Sequence, residues 1–375
     1  MASLYLHVPF CKQKCLYCNF YSQTNLNRRE DFVAALKLEI KHHAENWKDE
    51  CFETIYFGGG TPSLLTPSQL DDILDFLHTH FKFSKTVEQT IEVNPESVNL
   101  NYFKALNSFR FNRLSIGVQS FNDNLLNFLG RTHNAAQATN AINQALNAGF
   151  KNLSVDLIYG IEGLSDQLWE QDLIRVSNLQ TPHLSAYALT VEEASVLAQK
   201  IKKNKLKEPD EDHAIRQFKI LMAWAEQFDF EHYEISNFAL KGFRSKHNSN
   251  YWNHTPYLGL GPSAHSFFRG KRFWNLQKLS DYSETLRQGK PFYESEELSS
   301  VDLYNEFIML KLRLSEGVGL NEVEACFGTA QKWFLLQKIQ DINPLHYMWA
   351  DTTTLKLTNE GKCFADGIAA ALFAG

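Results

Sequence analysis

The sequence has no second cluster of cysteines, no long apolar run and no excess of positive charge, and each absence removes a class of function. Six cysteines occur in 375 residues; outside one run near the start they stand alone, as Cys51, Cys326 and Cys363 in mostly apolar surroundings. A closed zinc site draws on two pairs of Cys or His at short spacing, and no second cysteine pair completes that set. No stretch approaches the length of a membrane span, and Met1-Ala2-Ser3 starts no basic-then-apolar leader. With clustered unpaired thiols, which suit a reducing compartment, the chain reads as cytoplasmic. A net charge of −6 argues against a sequence-independent grip on nucleic acid. The length and 44% hydrophobic content suffice for one large domain and a small one.

What is present is one run, Cys11-Lys12-Gln13-Lys14-Cys15-Leu16-Tyr17-Cys18, directly after the strand-like Leu4-Tyr5-Leu6-His7-Val8. Three thiolates at this spacing suit an iron–sulfur cluster. Such clusters want four ligands, so three leave one iron open to a small molecule that can be reduced. A zinc site or surface thiols are the alternatives.

Short β-rich runs begin at Leu4, Thr54, Gln89, Arg113, Asn152 and His183, each followed by an amphipathic helical stretch. Six such units predict an α/β fold with an open, partial parallel βα barrel. One helix is well signposted: Thr66-Pro67-Ser68-Gln69 reads as a capping box with proline at the first helical position, and Leu70, Ile73, Leu74 and Leu77 share a face.

In a parallel βα barrel, chemistry collects at the carboxyl ends of the strands. The unusual polar residues fall there. The cysteines follow strand one, and Gly58-Gly59-Gly60-Thr61-Pro62-Ser63 follows strand two, where absent side chains would let a ligand approach the backbone. A plain glycine turn is the alternative. Strand three ends at Glu92-Val93-Asn94-Pro95 and strand four at Gln119-Ser120; Arg131 sits in Gly130-Arg131-Thr132-His133. Asp156 lies inside Val155-Asp156-Leu157-Ile158, where a carboxylate requires a partner.

These residues together resemble the radical S-adenosylmethionine enzymes, in particular the oxygen-independent coproporphyrinogen III oxidase-like family, over nearly the whole chain. The resemblance implies that Cys11, Cys15 and Cys18 hold a 4Fe-4S cluster whose fourth iron is chelated by S-adenosylmethionine, the source of a 5′-deoxyadenosyl radical on reduction. It implies contacts to that cofactor from Tyr5, Tyr17, Gly59, Gly60, Thr61, Glu92, Gln119, Arg131 and Asp156. Carboxylates and amides suit ribose hydroxyls and an ammonium, and Arg suits a carboxylate. Packing is the alternative role for Tyr5 and Tyr17.

Two departures separate the chain from true oxidases. Phe20 stands where they carry a further Cys, and only ten residues precede Cys11. Both look like the heme chaperone branch, as does His247-Asn248-Ser249-Asn250-Tyr251-Trp252, which matches a His-Asn-x-x-Tyr-Trp signature. An imidazole beside large aromatics suits a porphyrin, so His247 is the heme-site candidate and His265 the second; a structural histidine is the alternative.

The expected layout is a barrel core over 1–190, a middle segment with the heme site over 191–290, and a small, mostly helical winged-helix-like domain over 291–375. That last domain lacks a basic recognition face, since Asn321-Glu322-Val323-Glu324-Ala325 is acidic. Lysines from Lys200 to Lys207 read as a solvated helix end, or more weakly as a docking surface for an acidic partner or anionic lipid. The resemblance implies a heme chaperone that passes heme to an acceptor hemoprotein, such as one of a respiratory chain at the membrane. Radical decarboxylation of porphyrinogen propionates is the alternative, and a cluster-dependent homodimer is compatible with either.

Overall fold

The computed structural model describes residues 1–342 and 346–375. Six parallel strands run in sequence order: β1 (Ala2–Val8), β2 (Cys51–Gly59), β3 (Lys82–Val93), β4 (Arg113–Gln119), β5 (Asn152–Tyr159) and β6 (His183–Ala188). Helices follow β1 through β6, as the alternation of the sequence predicts. The sheet does not close. Beyond β6 the hairpin of β7 (Glu231–Glu234) and β8 (Asn237–Ala239) continues it antiparallel, with β8 against β6 and β7 outside. Beyond β1 it continues through β9 (Tyr257–Leu260), parallel to β1, then β10 (His265–Phe268), β11 (Lys271–Asn275) and β12 (Tyr293–Glu297). Residues 191–290 therefore supply strands to both edges of one twelve-stranded sheet.

All six expected runs are strands, with earlier starts for three. β3 begins at Lys82 because Lys82 and Phe83 pair with Cys51 and Phe52 before a register shift; the main ladder resumes at Thr54–Glu88. The helix Pro67–His80 carries the expected capping box, and Leu70, Ile73, Leu74 and Leu77 are buried.

Strand alternation sorts the side chains into two environments. On β4, Leu114, Ile116 and Val118 are fully buried in the apolar core under the helices, while Arg113, Ser115 and Gly117 face the concave interior. An ordinary closed barrel fills its interior with branched aliphatics. Here the inward row is polar, which leaves the interior free to bind something.

The amino-terminal end of this interior is plugged by the short helix Lys246–Trp252. Glu88 accepts the backbone N–H groups of Lys246 and His247 (3.1 and 3.0 Å), and Asn250 donates to the Ser3 hydroxyl at 2.8 Å. The carboxyl-terminal unit packs beneath the plug. It has its own apolar core, helices Ser300–Leu312, Leu320–Phe327, Thr329–Asp341 and Ala365–Ala371, and a small sheet of β13 (Val318–Gly319), β14 (Met348–Ala350) and β15 (Thr354–Leu357). Arg313 joins the two parts, donating to Glu234 at 2.9 Å while its guanidinium lies 5.0 Å from the Trp252 ring. Among the described residues no helix is long and apolar enough to cross a membrane.

Candidate functional site

A cavity of about 600 Å³ opens at the carboxyl ends of the parallel strands. Its rim is the cysteine loop, which local hydrogen bonds hold in place. Cys11 N–H donates to Gln23 (3.0 Å), Leu16 N–H to Leu129 (3.0 Å) and Cys18 N–H to Cys15 (3.4 Å), so the run is tied to two other parts of the chain and closed on itself. Cys11, Cys15 and Cys18 all line the cavity. Among the described residues no three Cys, His, Asp or Glu side chains are arranged to hold a single metal ion. A cluster uses its ligands differently, each iron corner taking one thiolate. Burial pushes the Cys18 thiol up to about 11, so deprotonation would have to come with the metal.

Arg131 is the hub of the wall. Its guanidinium donates to Cys15 Sγ (3.5 Å), Asn94 Oδ1 (2.6 Å) and the Gly117 carbonyl (2.9 Å), and its buried Nε has no partner. Glu96 secures the loop carrying it by accepting from Thr132 at 2.9 Å and pairing with His133 Nδ1 at 3.2 Å.

The glycine run also answers a demand of the fold itself. A side chain at Gly60 would meet the Phe10 carbonyl at 2.6 Å, and one at Gly59, where φ is +104°, would meet the His7 ring at 2.6 Å. The close approach is by the protein itself: Gly60 N–H donates to Val8 and Thr61 N–H to Phe10 (2.9 and 2.7 Å), fastening β2 to the base of the cysteine loop. Gly59, Gly60 and Thr61 nonetheless stand on the cavity wall, and the Thr61 hydroxyl lies 3.7 Å from Cys11 Sγ.

Two buried carboxyl groups sit deeper. Burial pushes Glu92 up to about 7, against the Tyr56 hydroxyl that donates to it at 2.8 Å, and nearby Asp156 raises it further. Burial also raises Asp156, while the Ser115 hydroxyl lies 2.9 and 3.0 Å from its two oxygens, the partner that the sequence demanded. Gln119 ends β4 at φ +69°, beside a register shift at Gly117/Gln119. A non-glycine residue held there at a ligand cavity stores strain that sets its side chain's direction.

The cavity thus gathers Tyr17, Gly59, Gly60, Thr61, Glu92, Gln119, Arg131 and Asp156 with the three cysteines. Two expected residues are elsewhere. Tyr5 stands one layer back, its ring 6.2 Å from that of Tyr56 and its hydroxyl 3.1 Å from His7 Nδ1. His247, the heme-site candidate, has the surroundings of the structural histidine that was its alternative. It is buried in the plug, with Nδ1 2.7 Å from the Thr54 hydroxyl, Nε2 3.2 Å from that of Tyr251, and its ring 4.7 Å from Tyr56. Both nitrogens are engaged, and burial holds the ring neutral, with its pKa at about 3. His265 is exposed, stacked 6.1 Å from Trp274.

Sequence reasoning missed Asn94, Tyr56 and Ser115, all on the wall. Period-two spacing along the strands and their carboxyl ends points to them, since Tyr56 lies four positions before Gly60, Asn94 two after Glu92 and Ser115 four before Gln119.

Comparison with known proteins gives a consistent assignment. The family model "Radical SAM superfamily" matches residues 5–174 and "HemN C-terminal domain" matches 298–364. A Mycobacterium tuberculosis protein named heme chaperone HemW is 32% identical over 98% of this chain and 94% of its own length. Its Lactococcus lactis namesake is 31% identical over 96% and 94%. The crystal structure of coproporphyrinogen III oxidase (HemN) from Escherichia coli, 22% identical, superposes with a TM-score of 0.86 over 100% of this chain and 90% of that one, which establishes the shared fold. The chain belongs to the radical S-adenosylmethionine superfamily and, within its oxygen-independent coproporphyrinogen III oxidase-like group, to the heme chaperone HemW family.

Proposed function

We propose that this protein is a cytoplasmic heme chaperone that binds a 4Fe-4S cluster, S-adenosylmethionine and heme, and passes heme to an acceptor hemoprotein. The observation that carries the reading is the joining of three thiols, Arg131, Gln119, Glu92 and Asp156 around one cavity, in a chain whose full-length relatives are named heme chaperones. Cys11, Cys15 and Cys18 would hold the cluster, which with S-adenosylmethionine supplies one-electron reductive cleavage of the sulfonium. Arg131, fixed between Cys15 and Asn94, offers charge to a carboxylate. Glu92 and Asp156 offer acceptors to an ammonium or ribose hydroxyls, and Tyr17 and Gln119 close the wall. Tyr5 would act through Tyr56.

Phe20 favours this reading over the oxidase. It is 62% exposed on the cavity rim, where a further thiol would stand in that enzyme, and it cannot ligate iron. Residues 1–190 would serve as the cofactor core, 191–290 would carry the heme site, and 291–375 would meet the acceptor. For the iron, His247 would have to leave Thr54 and Tyr251, whereas His265 is already open.

The test is a paired assay on anaerobically reconstituted protein. Hemin is titrated spectroscopically against wild type, Cys15→Ala, His247→Ala and His265→Ala, and coproporphyrinogen III is supplied separately with S-adenosylmethionine and reductant. Stoichiometric heme binding without decarboxylated product, weakened by one histidine change, with the cluster spectrum lost only in Cys15→Ala, supports the proposal. Turnover to protoporphyrinogen would restore the oxidase.

A further inference from the structure

Arg113 begins β4 and lines the cavity at the end away from the thiols, since Gln119, at the mouth, stands about 20 Å further along the same strand. Nothing in the cofactor pocket uses it. The residue is 2% exposed, its guanidinium donates to Asn152 Oδ1 at 2.7 Å, and its buried Nε has no partner. The arginines that form ion pairs among the described residues are others: Arg28, Arg216, Arg244, Arg272, Arg287 and Arg313. Burial raises Asp156 in spite of the charge of Arg113, so that carboxyl is no full counter-ion for it. A buried cation without a counter-ion is costly, and a ligand that brings one removes the cost.

A second orphan stands beside it. Thr90 on β3 is opposite Arg113 in the strand register, is fully buried, and its hydroxyl has no partner. It shares its side of the strand with Glu88, which holds the plug, and Glu92, which lines the cavity. Tyr56 on β2 is opposite Thr90 in turn, and the ring of His247 lies 4.7 Å from that of Tyr56. Tyr56, Thr90 and Arg113 therefore form one level of the barrel, two strand spacings or about 10 Å across. Asn248, which follows His247 in the plug, lines the same cavity.

We propose that Arg113 and Thr90 form a carboxylate subsite at the floor of the cavity that takes a propionate arm of heme. The proposal rests on the reading of the protein as a heme carrier. The guanidinium fork matches the two oxygens of a carboxylate, and the Thr90 hydroxyl adds a donor. His247 and Arg113 border the same level, so one flat ligand can present its metal to the imidazole and an acidic arm to the guanidinium. The plug closes this end of the barrel. Heme reaches the floor as the plug helix shifts, the same movement that frees His247 from Thr54 and Tyr251.

The test uses the full chain, anaerobically reconstituted, and titrates hemin and hemin dimethyl ester, in which both carboxylates are masked, into wild type, Arg113→Gln and Arg113→Lys. Wild type should bind hemin about tenfold or more tightly than the ester. Arg113→Gln should lose that preference by weakening hemin alone, and Arg113→Lys, which keeps the charge, should retain most of it. An arginine that only supports the fold would weaken hemin and ester alike. The cluster spectrum, read before each titration, should be the same in all three proteins. If Arg113→Gln does not fold, Thr90→Val removes the neighbouring donor at nearly constant volume and should narrow the preference about threefold. Equal wild-type affinity for hemin and ester, or a preference that survives in Arg113→Gln or in Thr90→Val, overturns the subsite and leaves the heme-carrier reading standing; a wild type that binds neither porphyrin overturns both.

Discussion

With Glu92 against S-adenosylmethionine, as proposed above, cofactor binding becomes a proton-linked event. In the free protein burial holds its carboxyl at about 7, well above an ordinary carboxylate. The sign follows from the direction of the shift. The folded state keeps a proton that the unfolded state releases, so stability falls as pH rises from the unfolded value toward 7; the ionised carboxylate costs the fold about 3 kcal/mol at most for a shift from 4.5 to about 7. A cationic ligand placed against the carboxylate removes that cost, and the affinity should track the ionised fraction. That fraction rises from about one tenth at pH 6 to about nine tenths at pH 8, an affinity gain near tenfold, or about 1.4 kcal/mol. Isothermal titration of S-adenosylmethionine in two buffers of different ionisation enthalpy reads both quantities at once. Uptake should release close to one proton at pH 6 and almost none at pH 8. Glu92→Gln keeps an acceptor for the Tyr56 hydroxyl and removes the charge, so its affinity should be lower and flat with pH. A wild-type affinity that is itself flat from pH 6 to 8, or a Gln variant that keeps the slope, would refute the reasoning.

Three further outcomes follow from the packing. Gly60→Ala drives a methyl group into the Phe10 carbonyl, so it should cost about 2 kcal/mol in denaturant unfolding and lower the cluster content on reconstitution, by loosening the anchor of the cysteine loop. Gln119→Gly relieves the left-handed backbone and should raise thermal stability by about 1 kcal/mol while weakening S-adenosylmethionine binding measured by calorimetry. His247→Ala leaves the buried Thr54 hydroxyl without its partner and removes a stacked ring, for a loss of about 2–3 kcal/mol in chemical denaturation; Thr54→Val with His247→Phe should recover part of it.

The two histidines show why such positions escape sequence reasoning. The sequence ranks His247 ahead of His265 as a ligand, because a sequence gives residue type and neighbours but not whether a nitrogen is already bonded. Only the folded chain brings Thr54 and Tyr251, remote and near in sequence, onto opposite sides of one ring. The glycine run is similar: a backbone requirement is legible from the sequence, but the protein atom that comes close, the Phe10 carbonyl, is set by pairing between β1 and β2.

The alternation of strands and helices, the capped helix at Pro67–His80, the thiol loop and the polar residues at the strand ends are legible in the chain alone. These are local: periodicity, capping and spacing act within a few residues, and position at a strand's carboxyl end carries a side chain to the mouth of the barrel. The tertiary structure decided the polar interior, the plug beneath it, the burial that lifts Glu92 to about 7, and the place of Arg113 at the cavity floor. Each depends on which distant segments share a space and how much water they exclude, and no window of sequence contains that information.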